Sequence, residues 1–222
     1  MGSMGSTVTA DGAAASEAFK LEGGWLCLGF TNTVGWHAAE QYVERFTAYR
    51  DLVGWCLRRG VLGLGTAKGL LREARGRPAE AQATLERAIA LREAIYRIFV
   101  AVAGGQRPAE TDLQTLNEAL RGARNHQRLA CTDEGFVWEW EPAGEALDQM
   151  LWPIARSAAE LLTSDKLPHV RRCANDPCGW LFVDLSRNHS RRWCAMSDCG
   201  NKVKARRHYR RHRGQPAAAT DG

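Results

Sequence analysis

No stretch of the 222 residues approaches the roughly 18 unbroken apolar positions that a membrane-spanning helix needs. No lipidation signal is visible at either end, and the first residues lack the apolar centre of a secretory signal. Met1 to Ser6 repeat Met-Gly-Ser like a cloning scar, so residues 1–15 are set aside, as is a disordered tail over 214–222. A cytoplasmic protein without membrane contact is expected. Also missing are a phosphate-cradling glycine loop, a nucleophile elbow and an H-E-x-x-H pair, and with them the commonest signatures of an enzyme. No internal repeat and no heptad seam is found.

Acid is scarce in one region only. Between Lys166 and Arg213 there are 13 Lys or Arg and only 3 Asp, whereas the remaining chain carries 17 bases and 22 acids. A basic module on a mildly acidic body calls for a polyanion at the module alone. The cysteines divide at the same place. Seven is an odd number, which with no secretory signal argues against a disulfide scaffold. Cys27, Cys56 and Cys131 are scattered through the body, while Cys173, Cys178, Cys194 and Cys199 fall within 27 residues.

Those four form two C-x4-C pairs separated by fifteen residues. Four thiolates complete a tetrahedral Zn(II) shell and leave no open position for water, so one structural zinc per chain is expected. A segment of about 40 residues buries too little apolar surface to hold itself together, and metal binding can supply on the order of 10 kcal/mol of folding free energy. Within the loop, "WLFVDLS" alternates Leu181, Val183 and Leu185 against Trp180, Phe182 and Asp184, as a short strand would. His189 sits where a zinc-stapled nuclease places a catalytic histidine, but no second catalytic group and no open metal position accompany it, so a non-enzyme is expected.

Beyond Cys199 the chain is a run of cations. Lys202, Arg206 and Arg210 share one helical face, with Lys204, Arg207 and Arg211 beside it. Like charges at this spacing repel one another, and phosphates would relieve the repulsion. Arg187, Arg191 and Arg192 add charge from the zinc loop. Arg191 and Arg192, next to Cys194, are expected to read bases, with Arg210 and Arg211 clamping phosphate. Double-stranded DNA is the expected partner. A solvated helix, an RNA and an acidic protein surface are the competing readings.

The chain reads as mainly α (α+β): a helical body with one short β-hairpin, followed by the small zinc-stapled hairpin-plus-helix module. Helices are expected over residues 42–59, from a Thr66 cap to Gly76, from Pro78 to Gly104, after Pro108, and from Gly144 to Thr163 with a kink at Pro153. "RLACT" and "FVWEW" form a hairpin, and "TSDKLPHV" reads as a linker. Trp25, Trp36, Trp55, Trp138, Trp140 and Trp152 are many indoles for one body, enough to line a ligand pocket, although core filling is the commoner use. Asn32 and His37 join Trp25 and Trp36 as candidate ligand contacts.

"CANDPCGWLFVDLSRNHSRRWCAMSDCGNKVKARRHYRR" resembles the CGNR zinc finger. "WLCLGFTNTVGW", "LREAIYRIF" and "LWPIARSAAELL" resemble the ABATE domain that precedes this finger in bacterial stress-induced transcription regulators. The resemblance implies an ABATE-like helical regulatory domain over residues 16–164 and a zinc-stapled hairpin-plus-helix module over 165–213, with Cys173, Cys178, Cys194 and Cys199 as ligands. The chain departs from the pattern twice: Lys202 replaces the final arginine of the finger motif, and Gly29 stands where the body motif has an acid. DNA-dependent transcription regulation controlled by a small-molecule effector is expected. A homodimer would suit a palindromic operator. A zinc-dependent adaptor without a ligand pocket is the alternative.

Overall fold

"LCLGFT", the most apolar run near the start of the body, forms helix α1 (Leu26–Thr31), with Leu26, Cys27, Leu28 and Phe30 all buried. The structure, a computed structural model, describes residues 25–213 except Trp36, Ala38, Glu40, Gln41, Glu134, Pro142, Ala143, Glu145 and Pro177; for Arg207 and residues 210–213 it describes the backbone only. The further helices of the body are α2 (Tyr49–Arg58), α3 (Leu64–Gly76), α4 (Pro78–Ala103), α5 (Glu110–Arg124) and α6 (Leu151–Leu162), with α1 packed on α4 and α6. Strands β1 (Gln127–Thr132) and β2 (Gly135–Trp140) pair antiparallel between α5 and α6 in the chain. The segment that follows adds a second antiparallel pair, β3 (Val170–Arg172) and β4 (Leu181–Val183), and ends in α7 (Asn201–Arg213). The chain is therefore mainly helical with two short hairpins.

Helix α4 has 26 residues, about 39 Å at 1.5 Å per residue. Pro78 starts it at a position that needs no N–H, and Gly105, at φ +68°, turns the chain away. It buries Leu85, Leu91, Ile95, Ile98 and Phe99, and its Arg97 holds Asp112 of α5 at 2.6 Å. Arg92 is only 1% exposed, and its charge is answered by Glu44 at 2.5 Å and Glu93 at 2.9 Å. Burial alone would raise the Glu44 carboxyl, but hydrogen bonds from Arg92 and Phe46 N hold it below the usual range.

Several boundaries differ from the sequence expectation, each for a local reason. Residues 42–48 are not helical, because Val43 bridges Gly35 and Glu44 turns back to accept from Arg45 N and Phe46 N. Asp51 caps α2 by accepting from Thr47 N and Ala48 N. Helix α3 starts at Leu64 behind Gly63, not at a Thr66 cap. Helix α5 starts at Glu110, two residues past Pro108. Helix α6 starts at Leu151 and not at Gly144, so Pro153 lies in its first turn, where the missing donor leaves no bond unmade and no kink is required. The expected linker is instead a short turn, Leu167–His169, leading into Val170, which is fully buried in the body's core.

Candidate metal centre and the junction that carries it

Strand β4 lies between two cores. Leu181 and Val183 pack with the body, whereas Phe182, pointing the opposite way, packs with Cys173, Cys178 and Cys199 and against Trp180, Trp193 and Cys194. The expected alternation is present, but both faces are covered and Asp184 is buried too, so that only Leu185 emerges. Gly179, at φ +70°, makes the turn between Cys178 and Trp180 in a conformation that suits glycine.

Side chains of the body grip this turn. Asn32 donates from Nδ2 to Leu181 O at 2.8 Å and accepts from Leu181 N at 2.9 Å, as a neighbouring strand would. Trp180 Nε1 donates to Val34 O at 2.7 Å, and His37 N donates to Cys178 O at 3.1 Å. Tyr96 of α4 donates its hydroxyl to Gly179 O at 3.1 Å and stacks on the His37 ring at 3.5 Å. The other side of His37 meets Glu93 at 2.8 Å. Asn32 thus spends its side-chain amide on the cysteine segment, whereas His37 holds that segment through its backbone N alone, and its ring Nδ1 is buried without a partner among the described residues. Trp25 is half-buried and lines a cleft, while Trp36 lies outside the described residues. Of the other body tryptophans, Trp55 packs among Phe30 and Phe46, Trp152 stacks on His126 at 3.9 Å, and Trp138 is exposed.

The four cysteine sulfurs lie within 4.8 Å of one another. Zn–S bonds of about 2.3 Å in a tetrahedron put sulfurs about 3.8 Å apart; Cys178 and Cys194 are at 3.8 Å and Cys194 and Cys199 at 3.6 Å. Supporting donors are in place, with Cys194 N at 3.4 Å from Cys173 Sγ and Asn175 Nδ2 at 3.3 Å from Cys199 Sγ. The Cys194 thiol, by donating to Cys178, pulls the latter down to about 6 and is itself pushed up. Burial pushes Cys199 up to about 11. Four such thiols cannot all ionise side by side without a cation among them. The residues fit one structural zinc, and the set is closed. Cys27, by contrast, is a core thiol that burial pushes up to about 12.

The loop between the cysteine pairs is organised by Asp184. Its carboxylate accepts from Ser186 N at 2.9 Å, Ser186 Oγ at 2.6 Å and Arg191 N at 2.8 Å. His189, at φ +46°, directs Nδ1 to Asp184 O and stacks on His169 at 3.9 Å, which accounts for this histidine without a catalytic role. Arg191 turns inward: Nε donates to Trp193 O at 2.9 Å, Nη2 donates to Cys194 O, and the guanidinium lies 4.5 Å over the Phe182 ring. Its expected place among base readers does not suit that geometry, since its fork is occupied inside the knuckle. Arg187 and Arg192 are exposed.

Cys199 itself lies in one wide turn, Met196–Gly200, which leads into α7, a helix with no acidic residue. Lys202 pairs with Asp198 at 2.6 Å, and Arg206 Nη1 reaches Asn175 Oδ1 at 3.4 Å and Asp176 O at 3.3 Å, tying the helix to the first cysteine pair. Lys204 is exposed; Arg207, Arg210 and Arg211 lie on the helix, their side chains outside the described set. The direct link from Arg206 to the first knuckle had no signal in sequence beyond its charge.

Among the described residues no helix is long and apolar enough to cross a membrane. The family model described as "ABATE: Putative stress-induced transcription regulator" matches residues 24–165, and that of the CGNR zinc finger matches residues 169–212. No curated protein matches the chain.

Proposed function

The chain belongs to the ABATE family and carries a CGNR zinc finger, and from that membership we propose that it is a DNA-binding transcription regulator whose affinity answers to a small molecule held by the body. One observation carries this reading. The zinc knuckle clamps the start of an acid-free helix bearing Lys202, Lys204, Arg206, Arg207, Arg210, Arg211 and Arg213. The metal provides rigidity and the helix presents charge, an arrangement suited to a phosphate backbone. Neither matched family is of an enzymatic type, and the closed sulfur set supports a non-catalytic metal. A homodimer remains part of the proposal, as the usual partner of a palindromic operator.

The contact set now excludes Arg191. Arg187, Arg192, Lys202, Lys204, Arg207, Arg210 and Arg211 are the cations available to duplex DNA, with Arg206 positioning the helix. If about 5 to 7 of them meet phosphate, log K falls against log salt with a slope of about −5 to −6, at roughly −0.9 per contact. Titration of a duplex at several salt concentrations measures it. Lys204→Ala lowers the slope by about one and weakens all sequences alike. Arg191→Ala instead weakens zinc retention, because it removes the fork from the Trp193 and Cys194 carbonyls. A slope near zero defeats the proposal.

A further inference from the structure

Between α1, α2 and the cysteine segment lies a cleft of about 950 Å³. Its walls combine two chemistries. Trp25, Trp55 and Trp180 supply ring surface, and Arg45, Arg50, Arg58, Arg59 and Arg191 supply five guanidinium groups. Among the described residues Asp51 is the one acid of the lining, and its carboxylate is engaged by Thr47 N, Thr47 Oγ1 and Ala48 N at the start of α2. Among the described residues no carboxylate pairs with the side chains of Arg45, Arg58, Arg59 or Arg191; Arg50 reaches Asp51 only at 3.9 Å. One fork is already laid on a ring, Arg59 at 5.9 Å over Trp55, while Arg191 lies 4.5 Å over Phe182 with its fork on the Trp193 and Cys194 carbonyls. A guanidinium held this way loses less freedom on gripping a carboxylate or phosphate.

The geometry points to this cleft as the binding site of a small planar molecule that carries a carboxylate or phosphate group, its ring against the tryptophans and its anion among the arginines. The volume lies within the range of ligand pockets, roughly 300 to 1,000 Å³, and the site is concave with aromatic sides. A duplex backbone is more readily met by protruding cations such as those of α7 than by a hole between two elements. The cleft also has a route to the zinc module. Arg191, Cys194 and Ala195 form part of its wall, and Arg191 donates to the carbonyls of Trp193 and Cys194. An anion that draws on Arg191 competes with those carbonyls beside a zinc ligand. This consequence rests on the regulator reading above, whereas the binding itself does not.

Gly29 offers a direct test. It lines the cleft, and a Cβ there would meet only Trp55 Cζ2, at an ordinary 3.9 Å. Gly29→Asp therefore places a negative charge among the arginines without removing one. The zinc-loaded full chain is titrated by calorimetry with naphthalene-2-carboxylate, its neutral carboxamide, naphthyl phosphate and inorganic phosphate. One of the two aromatic anions is expected to bind at least tenfold tighter than both the carboxamide and inorganic phosphate. Which of the two binds tighter tells carboxylate from phosphate. Gly29→Asp and the exposed pair Arg45→Ala with Arg58→Ala each weaken that anion at least tenfold at unchanged melting temperature, while Arg121→Ala, exposed on α5 outside the cleft, does not. Equal binding of anion and carboxamide, or no saturable binding by either aromatic anion, overturns the proposal. So does a loss of duplex affinity in the Arg45, Arg58 variant without any anion binding, which would make these arginines part of the DNA interface. Duplex titration of the ligand-free wild type runs in parallel: its failure removes the regulator reading and leaves the cleft result standing.

Discussion

Asn32 makes the pair of contacts that a strand would make, although it lies at the end of a six-residue helix. Only a short side chain with a donor and an acceptor in one plane can serve both Leu181 N and Leu181 O. Asn32→Ala removes two partly buried hydrogen bonds, and a loss of about 1 to 3 kcal/mol is expected. Urea unfolding at fixed zinc measures it. Asn32→Asp keeps the acceptor but sets a carboxylate against Leu181 O, so it does not rescue. Asp184 gives a second expectation at this scale. Burial would raise its carboxyl, but hydrogen bonds from Ser186 Oγ, Ser186 N and Arg191 N outweigh this and hold it below the usual value. The stability it contributes is therefore fully present above the ordinary aspartate pKa of about 4, and is lost as pH falls through the lower folded value. Asp184→Asn should flatten the acid limb of the stability profile relative to wild type, measured by thermal melting between pH 7 and pH 3.

At the scale of elements, the zinc site and the hairpin it staples are not equally dependent on metal. Helix α7 and the Cys194–Cys199 knuckle rest on the small core of Phe182 and the cysteines, whereas Val170, Leu181 and Val183 are part of the large one. Removing zinc should melt α7, a 13-residue loss of helix, and leave β3 and β4 docked. Circular dichroism during chelation, with hydrogen exchange at Leu181 and Val183, separates the two; rapid exchange at those amides would show that the hairpin also needs the metal. The same elements show what could be read in advance. Metal-ligand spacing, the α4 periodicity between Pro78 and Gly104 and the β-rich runs of the β1–β2 hairpin are local patterns, and all three are present as expected. The partner of Asn32 lies 149 residues away, and nothing near position 32 names it. Pro153 could be seen to disturb a helix but not to start one, because the helix boundary is set by packing on α1. Trp25 and Asn32, expected to line a ligand pocket, both border the cleft, but its arginines are not legible in sequence, since Arg45, Arg58 and Arg191 meet only once the two ends of the chain do.

For the whole molecule, the division of charge is sharper than the division of structure. The basic segment is distinct in composition, but its β hairpin is shared with the acidic body through Val170, Leu181 and Val183, and Asn32, Val34, His37 and Tyr96 bind its first turn. A segment cut at residue 165 would expose those three apolar side chains and leave the backbone of Leu181 unpaired. Each buried aliphatic side chain is worth roughly 1.5 to 3 kcal/mol against exposure, so the separated piece loses several kcal/mol of the free energy that zinc binding draws upon. Its zinc affinity should accordingly fall by two or more orders of magnitude relative to the full chain, measured by competition with a chromophoric chelator at pH 7. The intact zinc-loaded protein should unfold in one cooperative transition, with calorimetric and van't Hoff enthalpies equal. Two transitions, or a free segment that holds zinc as tightly as the whole chain, would mean that the shared hairpin does not couple the two cores.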